Sequence, residues 1–370
     1  MKYWFGIAVV GLLVALLPAV RPSGDAAAAT SSAVRSARTH TLMLANANVR
    51  EGSRSRPLAD VRVGHDRRAF VRRLMQRSSR VPGVVLLQET YGSARAYVRA
   101  LNRHPRARRA GARYRLAVRP SLRRNQRRCG PVKRRRHQRV QTSSIVIDRS
   151  KVRRVLRRGT IAGWGRWHRP ADRSKTIEHC AYQPWVLLRL RNGGLVRIAG
   201  VHLAPVNARL KTRALRRVVK RLRTLQRKTP RAQLVIAGDL NMSRQPPRFG
   251  KRERRGGKVR PAHRMLARAG LSDANRRAKA RGRNGVIGYR GRIDFIYTTS
   301  GVAGASYDRC YRGYLGGRAC RRSASTFKAH VPYAACQRWA DSGKHRPRCP
   351  RRKYRRYYSD HPMLTARLRW

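Results

Sequence analysis

At 370 residues the chain can bury a sizeable core in one large domain or two small ones. It carries 90 Lys and Arg against 15 Asp and Glu, a formal charge of +75 that resists compaction unless polyanions or salt screen it. That balance excludes carboxylates kept for general solubility and points to an anionic partner: nucleic acid, anionic lipid or a polyanionic cell surface. A generally Arg-rich proteome would account for Arg outnumbering Lys, but less easily for the lack of Asp and Glu.

The N-terminus reads as export. Lys2 is a charged n-region, Trp4 to Val20 an apolar h-region, and Ala27-Ala28-Ala29 an A-x-A site before Thr30. Residues 1–29 are therefore expected to be a signal peptide, 30–40 a linker, and the protein secreted. The h-region is long enough to keep an uncleaved, outward-facing membrane anchor as the alternative.

Thr41 to Val49 is then predicted as a strand. Asp66 to Arg77 places Phe70, Val71, Leu74 and Met75 at helical spacing. Val84 to Leu87 reads as a buried strand ending at Gln88-Glu89, and a second helix follows near Ala94 to Leu101. Tyr114, Leu116 and Val118 alternate as a strand. Arg119 to Arg139 is a loop dense in cations, including Lys133-Arg134-Arg135-Arg136, and reads equally as a solvated insert or a binding loop. Ser144 to Asp148 and Val152 to Leu156 look like paired strands. Trp164, Trp167 and His168 sit among Arg in the next loop, where aromatics beside cations suit base stacking or the plugging of a sheet edge.

Trp185 to Leu190 and Leu195 to Leu203 form a hairpin around Asn192-Gly193-Gly194. Asn207 to Arg227 is a long basic helix with Leu210, Ala214, Val218, Leu222 and Leu225 on one side. Val235 to Asn241 reads as a buried strand that turns polar at its carboxyl end. Pro246 to Arg260 is a Gly/Pro/Arg-rich loop, and His263 to Ala269 a short helix closed by Gly270. Ile293 to Tyr297 and Met363 to Leu368 are strands, separated by a Tyr- and Arg-rich insertion from Cys310 to Cys349. There are no internal repeats. Strands alternate first with helices and later with each other, which predicts α+β, or a sandwich of sheets with outer helices.

Six cysteines are present: Cys129, Cys180, Cys310, Cys320, Cys336 and Cys349. An even number behind an export signal favours three disulfides, and no pair has the C-x-x-C spacing of a zinc site. Fifteen connectivities are open; Cys129–Cys180, with the last four pairing among themselves, is the favoured one.

The informative feature is where the rare acids fall. Glu89 ends VVLLQE, Asp239 ends VIAGD, Asp294 opens DFIY, and Asp360 precedes His361; Asn48 and His202 close two further apolar runs. In open sheets of this class ligands sit beyond the strand ends. Asp239 and Asn241, two apart, can share one face of an extended chain. The first can polarise a water or bind a metal; the second can donate to an oxyanion. A turn explains the same pair without chemistry.

Taken in order, Asn48-Val49-Arg50, Gln88-Glu89, Val201-His202-Leu203, Gly238-Asp239-Leu240-Asn241, Arg292-Ile293-Asp294-Phe295-Ile296 and Ser359-Asp360-His361 resemble the motifs of the endonuclease/exonuclease/phosphatase superfamily, the DNase I-like fold. The resemblance spans residues 41 to 370 and implies one domain, a four-layered α/β sandwich of two central, mostly antiparallel sheets with outer helices. The Cys-bearing insertions (119–140, 164–180 and 307–356) lie outside the basic pattern, and Pro362 stands where the family commonly has a spacer residue. The resemblance further implies metal-dependent phosphoester hydrolysis. Glu89 would be the main Mg²⁺ ligand, with Asn48 and Asp360 near the metal or its waters, and Mn²⁺ or Ca²⁺ as alternatives. His361 would be the general base or a phosphate ligand, held at its other nitrogen by Asp294. Asp239 would orient or activate water, and Asn241 and His202 would stabilise the developing charge. Arg50, within the first motif, would bind substrate; Lys133 to Arg136 lie outside the family pattern, and their charge alone suits them to bind substrate too.

The leading expectation is a secreted Mg²⁺-dependent nuclease with little sequence specificity, its basic insertions gripping backbone phosphates. A phospholipid phosphodiesterase of sphingomyelinase type, or a phosphatase, is the alternative enzyme. A non-catalytic polyanion-binding protein is the alternative from another class. Contact with an anionic membrane or cell surface fits the charge, and no protein partner is inferred.

Overall fold

A computed structural model of the chain describes residues 39–49, 67–90, 94–118, 143–169, 172–203, 208–242, 260–275, 293–307, 361 and 363–370. Two six-stranded sheets make its centre. The first has the order β11-β12-β1-β2-β4-β3, built from Gly301–Tyr307, Leu364–Arg369, Thr41–Asn48, Val84–Gln88, Ser144–Asp148 and Tyr114–Val118. The second has the order β5-β6-β7-β8-β10-β9, from Val152–Arg169, Asp172–Leu190, Leu195–His202, Gln233–Asp239, Asp294–Thr298 and Ser272–Asp273. Each sheet contains one parallel pair, β1 with β2 and β7 with β8; the other pairings are antiparallel.

The strands are apolar on both faces because both faces are covered. Even-numbered positions of β1 and β2 (Leu42, Leu44, Val84, Leu86) meet Val196, Ile198, Val235, Ala237 and Ile296 of the other sheet in the inter-sheet core. The opposite positions of the first sheet, Ala45, Ala47, Val85 and Leu87, pack under α1 (Arg67–Arg77) and α2 (Ala94–Arg103). Those of the second, Ala199, Val201, Leu234, Ile236 and Phe295, pack under α4 (Ala208–Arg227) and α5 (Arg260–Arg268). The result is a helix–sheet–sheet–helix sandwich, as the motif order predicts. Phe70, Leu74, Tyr97 and Leu101 are fully buried; burying each such side chain is worth roughly 1.5–3 kcal/mol.

Two expectations are corrected. Ser144–Asp148 does not pair with Val152–Arg169: β4 pairs with β2 and β3, whereas β5 pairs with β6 in the other sheet. The short link at 149–151 crosses between sheets instead of closing a hairpin, a choice that local sequence does not encode. Trp164, Trp167 and His168 lie in strand β5, where their backbone pairs with Cys180, Ile177 and Thr176 of β6. This ribbon reads as loop because its cation-rich sequence lacks an apolar alternation; backbone pairing alone defines it. Helix α3 (Pro105–Arg109), strand β9 and the exposed edge strand β11 are additions that the sequence pattern does not predict. α3 is a run of cations made helical by Pro105 in its first turn and the His104 side chain accepting from the Arg106 N–H. The cation loop at 119–139, the loop at 246–259, the insertion at 310–349 and every cysteine except Cys180 lie outside the described residues, as do the expected signal peptide and most of the linker.

Candidate active site

The parallel pairs decide where the polar residues go. In an antiparallel pair neighbouring strands end at opposite edges; in a parallel pair they end together. Asn48 therefore stands opposite Gln88, one residue before Glu89, and His202 stands opposite Asp239. The antiparallel β10 enters at the same edge, with Asp294 opposite Asp239. His361 reaches that edge just ahead of β12, which runs antiparallel to β1. Asn48, His202, Asp239 and Asp294 all fall on the inward positions of their strands. The inter-sheet core thus ends in a polar rim.

Contacts within the rim are close. The Asn48 amide donates to Glu89 Oε1 at 2.9 Å and to Asp239 Oδ2 at 3.2 Å, and lies 3.3 Å from His361 Nε2. His361 Nδ1 is 2.9 Å from Asp294 Oδ2. A carboxylate only accepts, so Nδ1 carries the proton and Nε2 is left facing the cluster. His202 Nε2 lies 3.4 Å from Asp239 Oδ2 and 3.6 Å from Glu89 Oε1, and His361 Nε2 lies 3.7 Å from Asp239 Oδ2. His202 is thus part of this rim and not an apolar-core histidine.

Asp239 and Asn241 meet by a different route from the shared strand face expected of them. Asn241 has φ +48°, and its backbone N–H donates to Asp239 Oδ1 at 2.7 Å. The segment is a tight Asx turn, and it also carries the site. The Asn241 amide donates to Leu203 O at 2.6 Å and to Asp239 Oδ2 at 3.2 Å, so it fixes the Asp239 carboxylate. Glu89 has φ +55°. Among the described residues these two are the non-glycine residues with positive φ, and such strain gathers where surrounding structure enforces it for function. Gly238 is required for a steric reason: a Cβ there would stand 1.7 Å from Val201 O of the neighbouring strand.

Glu89, Asp239 and His361 each bring one ligand atom within 4.8 Å of the others. A set of two carboxylates suits a hard divalent cation that keeps several waters. The electrostatics agree. Burial pushes Asp239 up to about 8; His361 and the Asn241 N–H pull it down, while Asp294 and Glu89 push it further up. Crowded acids of this kind gain most from a cation, and the residues fit one.

Two supporting residues carry no signal in the sequence. Gln183 is buried on β6, beside Pro184, which lacks an N–H for the ladder. Its side chain replaces the missing pairing: it accepts from the His202 N–H at 2.7 Å and donates to His202 O at 2.9 Å. Lys211, on α4, is buried and donates to Asn241 O at 2.6 Å. Burial pushes its pKa down to about 8 against the pull of Asp239. One lysine among 90 basic residues cannot be singled out before folding. Arg50, Lys133, Arg134, Arg135, Arg136 and Asp360 lie outside the described residues.

Comparison with known proteins bears on the same span. A structure of an endonuclease/exonuclease/phosphatase family protein from Bacteroides thetaiotaomicron matches with TM-score 0.50 at 14% identity, over 90% of this chain and 96% of that one. The human nocturnin catalytic domain, solved with bound sulfate, matches with TM-score 0.48 at 12% identity, over 89% and 93%. D. rerio TDP2 in complex with a single-strand DNA product gives 0.44 at 14%, over 89% and 98%. At such identities the likeness concerns the fold. No curated protein sequence matches. The sequence profile of the endonuclease/exonuclease/phosphatase family matches residues 45–361, from β1 to the histidine that closes the rim, and a match of that extent places the chain in this family of phosphoesterases.

Proposed function

We propose that the protein is a secreted, Mg²⁺-dependent phosphodiesterase that cuts nucleic acid. One observation carries this reading: Glu89, Asp239 and His361 converge at the strand edge, with Asp294 behind the histidine. A hydrolase of phosphodiesters needs a positioned water, a route for two protons and neutralisation of charge on phosphorus. Glu89 and Asp239 would hold the divalent ion, which supplies charge neutralisation when bound.

The chain's own residues do the rest. Asp239 orients the attacking water and takes its proton. His202 Nε2, facing Asp239 and Glu89, returns a proton to the leaving oxygen as the P–O bond breaks. His361, its Nδ1–H directed to Asp294, presents Nε2 to the phosphate and stabilises its charge as imidazolium. Asn48 and Asn241 keep the carboxylates in place. The products are a phosphomonoester and an alcohol. Substrate follows from charge: +75 exceeds what a small phosphomonoester requires and suits a polyanion. The export-type N-terminus supports an extracellular site of action.

Incubating purified protein with Mg²⁺ and plasmid DNA, RNA, sphingomyelin or a phosphomonoester tests the reading. Cleavage of DNA or RNA is expected, falling steeply with added salt. Consumption of sphingomyelin or the phosphomonoester alone would overturn it.

A further inference from the structure

A second cationic feature lies away from the strand edge, in the helical layer over the first sheet. A cavity of about 790 Å³ opens between α1 and α2 and is lined by Arg67, Arg68 and Arg72 from one helix and Arg99 and Arg103 from the other. His104 closes one end, and Val71, Ala96 and Ala100 supply an apolar lining. Both helices start on the same side: the Arg67 guanidinium lies 5.8 Å over the Tyr97 ring, and Phe70 meets the same ring edge-on at 5.2 Å. α2 begins five residues after Glu89, so its first turn follows the β2 end that carries the active-site acid.

The arrangement gathers like charge along both helices. Arg68 and Arg72 are spaced i,i+4, as are Arg99 and Arg103, and like charges at that spacing destabilise a helix. All four are exposed. Between Asp66 and Asp148 the only acid in the sequence is Glu89, which faces the active site. The same field reaches His104, whose pKa is held below its ordinary value by burial and then by Arg106, Arg109 and Arg72. Four helical residues rise about 6 Å, close to two strand steps of about 3.4 Å. Each rim can therefore meet every second phosphate along a strand, and guanidinium is the cation best matched to them.

We propose that the α1–α2 groove is a docking track for the phosphate backbone of a nucleic-acid strand running to or from the Glu89 edge. This rests on the phosphodiesterase reading and adds to it a surface that the sequence motifs do not mark.

The test compares two proteins that lose the same charge at different places. One carries Arg68→Gln, Arg72→Gln, Arg99→Gln and Arg103→Gln. The other carries Arg216→Gln, Arg217→Gln, Arg221→Gln and Arg223→Gln on the exposed face of α4. Binding of a fluorescent single-stranded oligonucleotide is measured by anisotropy in EDTA across a salt series, with circular dichroism to confirm folding. The groove variant should bind about tenfold or more weaker, its salt slope shallower by about 0.7 for each phosphate it no longer neutralises, and the α4 variant should stay near the parent. Equal weakening in both would show that overall charge does the binding and overturn the proposal. So would groove-dependent binding of anionic phosphatidylserine vesicles with oligonucleotide binding unchanged. Should the fourfold groove variant not fold, Arg72→Gln with Arg99→Gln, against Arg217→Gln with Arg221→Gln, gives the same comparison. Hydrolysis of bis(4-nitrophenyl) phosphate is read in parallel and should be equal in parent and groove variant. If the parent does not hydrolyse it, the phosphodiesterase reading fails while the binding comparison still decides the groove.

Discussion

The two sheets contribute unlike halves to the site. The first supplies Asn48, Glu89 and His361; Glu89 is the exposed member, its side chain 14% accessible. The second supplies His202, Asp239, Asn241 and Asp294, with the Asp239 side chain 1% accessible and the Asp294 side chain fully sealed from solvent. An accessible acid meets solvent directly; a sealed one acts on the groups packed against it or on an ion held between it and the open acid. On the proposed reading the open ligand, Glu89, comes from the first sheet, and the second supplies the buried ligand Asp239 together with Asp294, which orients His361.

Removing the open ligand should have the largest effect. Glu89→Gln is expected to weaken Mg²⁺ or Mn²⁺ binding, measured by calorimetry, and to lower turnover by about a hundred- to a thousandfold, the scale for losing one preorganised charged group, with the melting curve intact. Near-parent turnover at low millimolar Mg²⁺ would end the assignment of Glu89. Asp294→Asn breaks the comparison from the other side. Metal binding should survive, while turnover falls about a hundredfold, the upper end for an orienting partner. The pH profile should shift as well, because the His361 imidazolium loses its counter-charge. A shift in metal affinity with an unmoved pH profile would place Asp294 with the ligands instead.

Lys211→Met should cost about tenfold in turnover, because the Asn241 turn loses its 2.6 Å tether and with it the aim of Asp239. KM should change little, and a variant as active as the parent would show that the turn holds itself. The smallest effect is on stability. Asp239 titrates near 8 in the fold against 3.8 in the unfolded chain, so the fold binds this proton more tightly. Its contribution to stability is complete below about 3.8 and is lost as pH rises through about 8. Melting temperature without divalent ions should fall across that window, and Mg²⁺ should remove the fall by favouring the ionised carboxylate. A flat profile in EDTA would mean that Asp239 is ionised throughout.

Much of this was legible before folding. Scarcity of acids made Glu89, Asp239 and Asp294 stand out, because no solubility role competed for them. Apolar runs ended at Asn48, His202 and Asp239 because strands buried on both faces must carry their polar groups at their ends. The helix around Phe70, Val71, Leu74 and Met75 declared itself by spacing, and each of these side chains is buried. The order of the motifs named the family.

Other features depend on partners distant in the chain. Which strands pair in parallel, and so which ends meet, is settled by the packing of two sheets. The crossing from β4 to β5 turns on the same packing. Gln183 and Lys211 became visible only through hydrogen bonds to residues 19 and 30 positions away. The convergence of five arginines on one cavity depends on how α1 lies beside α2. Sequence determined which residues had to be buried or charged. Tertiary structure decided which of them became neighbours, because contact energy depends on distance in space, and distance along the chain constrains it only within one helix or one turn.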